Sequence, residues 1–173
     1  MTKTKVTEQV DPNPAAARAW STALRILTRR DHSQAELRQR LIAKGFAADQ
    51  IDAVIGRCRK YGYLDDLRFA INRATALMRQ GRGVGPRILR DLKQRGISAE
   101  IAEQALTTAR ETCDEDTVLG ELLARKFADF SYPSATAGEK RRVVHYLQRR
   151  GFTMSCIMDH LTRKGPATDD ENR

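Results

Sequence analysis

The sequence has no apolar run approaching the ~20 residues that cross a bilayer, and its first residues carry no apolar h-region. Neither a membrane span nor a secretory leader is expected, and the cytoplasm is the expected location. Cysteine is scarce. Cys58, Cys113 and Cys156 are odd in number, far apart and never in a Cys-x-x-Cys pattern, which argues against a disulfide framework or a zinc ribbon and for plain packing. His32, His145 and His160 lie in different stretches, and none falls in a Ser/His/Asp or Cys/His pattern. No run alternates apolar and polar residues as a strand does, so no sheet is expected. Gly81-Arg82-Gly83-Val84-Gly85-Pro86 is glycine-rich, but no strand precedes it and no Lys-Ser/Thr follows. It reads as a turn that lets Pro86 open a helix at its first position, not as a nucleotide cradle. Exposed aromatics are few; Tyr61, Tyr63 and Tyr146 are the candidates for stacking on bases. These absences predict a protein that is not an enzyme and holds no cofactor or metal.

What is present is positive charge. Lys and Arg number 31 against 22 Asp and Glu, for a net +9 and a pI near 9.9. A mean hydropathy of −0.56 suits a soluble chain with a modest core. Residues 1–14, polar with Pro12 and Pro14, read as a disordered tail, and residues 165–173 as an acidic one. The segment between them is near +11. A basic body of this kind predicts a polyanionic partner, DNA or RNA, or a protein bound to one.

Three stretches end alike: Leu41-Ile42-Ala43-Lys44-Gly45-Phe46, Leu92-Lys93-Gln94-Arg95-Gly96-Ile97 and Leu147-Gln148-Arg149-Arg150-Gly151-Phe152. Eight residues before each glycine stands Leu37, Ile88 or Val143, and four before it Leu41, Leu92 or Leu147. Six after it stands Ile51, Ala102 or Ile157, and ten after it Ile55, Leu106 or Leu161. Apolar residues four apart line one helix face. A following glycine ends the helix with positive φ, and the next residue meets the apolar residue at C3. Gly45, Gly96 and Gly151 are therefore expected to be structural helix stops, with Phe46 on Leu41, Ile97 on Leu92 and Phe152 on Leu147.

Flanking stripes predict further helices: Ala16, Trp20, Ala23, Leu24 and Leu27; Leu67, Ala70, Ile71, Ala74, Leu77 and Met78; Leu119, Leu122, Leu123, Phe127 and Phe130. Ser33-Gln34-Ala35-Glu36 reads as a capping box, and Ser98 and Thr153 as N-caps. Asp65-Asp66 and Asp114-Glu115-Asp116 open helices with carboxylates, a use that outweighs metal binding. The expected fold is all-α: three tandem three-helix repeats over 15–64, 65–112 and 113–164, stacked into an elongated, curved array.

Lys44, Arg95 and Arg150 precede the stop glycines, where the helix dipole favours a cation whatever the partner. Fourteen other basic residues are the candidates for a polyanion footprint. They are Arg25, Arg29, Arg30, Arg38 and Arg40 in the first repeat, and Arg79, Arg82, Arg87, Arg90 and Lys93 in the second. The third repeat adds Lys140, Arg141, Arg142 and Arg149.

Four stretches in this order resemble the RecX family of bacterial recombination regulators. They are Arg30-Asp31-His32-Ser33-Gln34-Ala35-Glu36-Leu37-Arg38, Tyr61-Gly62-Tyr63-Leu64-Asp65-Asp66-Leu67-Arg68-Phe69-Ala70, Gly83-Val84-Gly85-Pro86-Arg87-Ile88 and Lys93-Gln94-Arg95-Gly96-Ile97-Ser98. The resemblance covers about Ala15 to Lys164 and is looser in the third repeat. It implies tandem three-helix repeats and a protein that binds RecA recombinase, especially its filament on single-stranded DNA. It further implies restraint of RecA ATPase, strand exchange and co-protease activity, with direct DNA binding as well. One departure stands in the glycine-rich turn. The family usually has a large residue between the two glycines and one residue between proline and arginine. Here Val84 fills the first place and Arg87 follows Pro86 directly. Counting from Gly96 keeps Ile88 and Leu92 in register, so the helix after the turn is expected to survive.

The competing reading is a direct DNA-binding regulator of helix-turn-helix type. No single helix stands out as a recognition helix, and a monomer with three internal repeats lacks the dyad of half-site binding. A monomer acting on the RecA filament is the leading expectation.

Overall fold

The structure, a computed structural model, describes residues 14–163. Their secondary structure is helical throughout: α1 (Pro14–Leu27), α2 (Gln34–Ile42), α3 (Ala48–Lys60), α4 (Asp66–Arg79), α5 (Gly85–Gln94), α6 (Ala99–Thr112), α7 (Glu115–Lys126), α8 (Ala137–Gln148) and α9 (Met154–Arg163). No strand occurs among the described residues, and the all-α expectation holds. No helix among them is long and apolar enough to cross a membrane. The acidic tail and residues 1–13 lie outside the described residues. Pro14, assigned to the tail by sequence, instead opens α1, where its missing N–H costs nothing.

The stop device is present as expected. Gly45, Gly96 and Gly151 have φ of 81°, 75° and 100°. At each, the glycine amide and the next amide close a Schellman pair: Gly45 N–H to Ile42 O and Phe46 N–H to Leu41 O, Gly96 to Lys93 and Ile97 to Leu92, Gly151 to Gln148 and Phe152 to Leu147. Two further stops of identical pattern follow α3 and α4. Gly62 (φ 71°) donates to Arg59 O and Tyr63 to Cys58 O; Gly81 (φ 61°) donates to Met78 O and Arg82 to Leu77 O.

The starts are equally explicit. Ser33 Oγ accepts from Glu36 N–H, Ser98 Oγ from Ile101 N–H and Thr153 Oγ1 from Cys156 N–H. Asp65 accepts from Arg68 N–H and Asp114 from Thr117 N–H. Thr136 and Glu139 form a reciprocal capping box at α8 that sequence reading missed.

The described residues fall into two compact units divided between Phe69 and Ala70. In the first, α1, α2 and α3 pack mutually around Trp20, Ala23, Ile26, Leu37, Leu41, Ile51 and Ile55. Asp66 joins this unit by accepting from the backbone and side-chain amides of Gln34, filling an orphan donor at the start of α2. The buried stripe of α1 is Ala19, Trp20, Ala23 and Ile26. It adds Ala19 and Ile26 to the expected stripe, of which Leu24 and Leu27 are partly buried and pack against the same core. In the second unit α5 packs on α6, and α7 and α8 on α9. Ile88, Leu92, Leu119, Leu122, Leu147 and Ile157 are fully buried there, each contributing about 1.5–3 kcal/mol. The third expected stripe also needs correction. Helix α7 stops at Lys126, and Phe127 (φ −140°) and Phe130 lie beyond it. Phe127 instead meets Tyr146 edge-on at 5.0 Å.

Candidate functional site

In the first unit, cations from the end of α1 and the end of α2 surround one cavity of about 810 Å³, lined by Arg25, Ile26, Thr28, Arg29, Arg30, His32, Arg40 and Lys44. Among the described residues its lining contains no carboxylate. Arg30 donates to Glu36 at 3.0 Å and to the Asp31 carbonyl. Arg25, Arg29, Arg40 and Lys44 have no ion pair among the described residues. A second cavity of about 290 Å³ shares Arg30 and Arg40 with the first and adds Glu36, Gln39 and Ala43. His32 is 4% exposed, and its Nδ1 lies 2.8 Å from the Arg30 carbonyl. Nε2 is buried with no partner among the described residues. Burial holds the imidazole pKa below its ordinary value, against the raising effect of the Arg30 carbonyl.

The same unit carries an aromatic cluster. Trp20, Tyr61 and Tyr63 lie with ring centroids 6.1–6.2 Å apart, and the Arg57 guanidinium sits 4.1 Å over the Trp20 ring. Tyr61 and Tyr63 remain 38% and 47% exposed. Arg38 differs from the cavity cations: it pairs with Asp52 and is half-exposed.

In the second unit, Arg79, Arg82, Arg87, Arg90, Lys93, Arg141, Arg142 and Arg149 are exposed, with no ion pair among the described residues. Lys140 lies 4.8 Å over the Tyr132 ring. The cations assigned to helix ends divide in use. Arg95 and Arg73 both grip Asp91 at 2.9 Å. Arg150 stacks 3.5 Å over Tyr146 and donates to the carbonyl of Gly81, while Lys44 joins the cavity described above.

The glycine-rich turn is a joint between helix groups. Val84 is fully buried, and its N–H donates to Arg150 O at 2.8 Å. Arg125 and Arg150 donate to the carbonyls of Gln80 and Gly81 at the end of α4, neutralising its negative pole. A Cβ on Gly151 would stand 2.2 Å from Val84 O, and one on Gly81 2.7 Å from a Leu122 methyl. The shortened turn thus closes tightly, and α5 survives as expected. The helix begins at Gly85, which places Pro86 second rather than first.

Asp116 and His160, 44 residues apart, form a pair that sequence reading missed. His160 is 6% exposed, its Nδ1 stands 2.7 Å from Asp116 Oδ1, and Arg163 reaches the same oxygen at 3.2 Å. Asp114 caps α7 and Asp116 holds His160, so both carboxylates have structural work. Among the described residues no three His, Cys, Asp or Glu converge as metal ligands. Cys58 is buried, with its thiol pushed up to about 11 by desolvation.

Helix trios with repeated glycine stops, and many exposed cations without an ion pair among the described residues, define a basic all-α protein built from three-helix units. Family models described as RecX, first three-helix domain, and RecX, second three-helix domain, match residues 19–58 and 65–106. The chain is 42% identical over 146 residues to the regulatory protein RecX of Syntrophotalea carbinolica, covering 84% of this chain and 95% of that one. It is 36% identical over 167 residues to that of Escherichia coli strain SE11, covering 89% and 96%. Among solved structures, RecX from Lactobacillus salivarius matches with a TM-score of 0.70 at 20% identity, covering 86% of this chain and 96% of that one. The chain belongs to the RecX family of regulatory proteins.

Proposed function

We propose that this protein is a non-catalytic, monomeric, cytoplasmic modulator that binds RecA recombinase, above all as a filament on single-stranded DNA. It restrains the recombinase's ATPase, strand-exchange and co-protease activities in DNA repair and the SOS response. The observation that supports this reading is the set of exposed cations in both compact units that have no ion pair among the described residues, within a chain of the RecX family. Exposed cations of that kind are suited to an outside polyanion. The helices are grouped as repeats over 15–64, 65–112 and 113–164, and the glycine stops fix the spacing at which each presents its cations.

The test is ATP hydrolysis by RecA on single-stranded DNA with substoichiometric amounts of this protein added. Inhibition is the expected result, and hydrolysis unchanged at every ratio overturns the proposal. Protection of one duplex sequence, with no effect on RecA, would point instead to a direct DNA-binding regulator.

A further inference from the structure

In the second unit, α7, α9 and the chain that follows α7 surround a cavity of about 240 Å³. Leu123 of α7, Leu161 of α9 and the rings of Phe127, Phe130 and Tyr132 line it. Those rings are held by neighbours: Phe127 meets Tyr146 edge-on, Phe130 meets Tyr132 at 6.5 Å, and Lys140 lies over Tyr132. One polar group in the wall is left unfinished by the fold. His160 lines the cavity and is more than nine-tenths buried. Its Nδ1 lies 2.7 Å from Asp116 Oδ1, and a carboxylate only accepts, which fixes a ring proton on Nδ1. The neutral imidazole then presents Nε2 as a bare acceptor. That nitrogen has no partner among the described residues. Buried acceptors are ordinarily satisfied, and a donor inside the cavity satisfies this one.

We propose that this cavity binds a small, neutral, planar aromatic molecule of the indole or phenol class. Its N–H or O–H donates to His160 Nε2, and its ring packs among Phe127, Phe130 and Tyr132. Size selects this class. An apolar cavity of about 150 Å³ holds benzene, and drug-sized ligands begin at roughly 300 Å³. The cavity here, at about 240 Å³, takes one ring or two fused ones. Charge selects it as well, since no Lys, Arg, Asp or Glu among the described residues lines the cavity. The chain's own ends are poor occupants, because residues 1–13 and 164–173 contain no aromatic residue. A protein partner fits less well than a free molecule. At the rim, Ala124 and Ala128 are exposed but small. The large apolar residues exposed among the described ones are Ile42, Tyr61, Tyr63 and Met154, and none of them lines the cavity. The apolar surround that a protein interface buries is therefore missing.

The test titrates indole into the isotope-labelled full-length chain, without recombinase, and follows the amide chemical shifts of α7 and α9. Saturable binding is expected. Benzofuran, the isostere that lacks the N–H, is expected to bind roughly tenfold more weakly. In His160→Leu the two ligands are expected to bind alike, because the acceptor that tells them apart is gone. Ala124→Phe narrows the cavity from an exposed position and is expected to weaken indole binding severalfold. Thr107→Phe, exposed on α6 and outside the lining, is expected to leave it unchanged. If His160→Leu does not fold, the preference of the parent chain for indole and the two phenylalanine variants still decide the matter. Shifts that do not saturate with indole overturn the proposal, as does benzofuran binding the parent chain as tightly as indole. Equal effects of Ala124→Phe and Thr107→Phe overturn it too. N-acetyltryptophanamide binding more tightly than indole overturns it in favour of a partner protein's side chain.

Discussion

The Val84 amide donates to the Arg150 carbonyl at 2.8 Å, and the Val84 carbonyl faces Gly151 so closely that a Cβ there would stand 2.2 Å from it. Gly151 therefore does two things, ending α8 with positive φ and admitting the glycine-rich turn. Gly45 does only the first, since a Cβ there meets nothing within 4 Å. Gly45→Ala is expected to cost about 1–2 kcal/mol, the strain of a left-handed alanine. Gly151→Ala is expected to cost about 1–3 kcal/mol more, from overpacking. Urea unfolding of the two variants checks this, and equal losses would deny the joint.

The Asp116–His160 pair gives a second expectation. Removing the carboxylate strands a buried imidazole nitrogen, so Asp116→Ala should cost about 1–3 kcal/mol. Combining it with His160→Leu removes both partners and should restore part of that loss, because an apolar side chain fills the site without an orphaned polar atom. Thermal melts of the single and double variants read the difference. Additive losses would show that the pair is not coupled.

Acid should weaken the second unit through Asp91. Hydrogen bonds from Arg73, opposed by desolvation and helped by Arg95, hold its carboxyl at about 2, against an ordinary 3.8. A lowered folded pKa means that the unfolded chain binds the proton more readily. The stabilisation is thus complete above pH 3.8 and is lost as pH falls toward 2. It amounts to something on the order of 2 kcal/mol for this mostly buried group. Asp91→Asn should flatten stability across that pH window, as measured by urea midpoints at each pH. An unchanged pH profile would contradict the assignment.

The three stops at Gly45, Gly96 and Gly151 were legible because each carries an aliphatic or aromatic clasp onto a leucine four residues earlier. The stops at Gly62 and Gly81 form identical hydrogen bonds, yet Cys58 stands in place of the leucine at one and Arg82 in place of the apolar clasp at the other, so the pattern that marks the motif is incomplete. The face of α1 was legible in Trp20, Ala23, Leu24 and Leu27, which lie in or against the core, while Ala19 and Ile26 were missed because a helix rich in small apolar residues has no sharp phase. Phe127 and Phe130 continue the spacing of α7 past its end, where periodicity cannot register that the backbone has turned. The cavity cations were legible singly, but not their meeting. Lys44 reads as a helix-end charge until the fold brings it beside Arg25 and Arg29. Asp116 with His160, and Val84 with Arg150, are tertiary pairs whose sequence separation leaves no local signature.

Co-sedimentation with RecA filaments assembled on single-stranded DNA tests the central claim most directly. The account predicts that the full chain pellets with the filament, that the bound fraction falls as salt rises, and that RecA without DNA carries down less of it. A chain that stays in the supernatant with filaments at low salt would contradict the account.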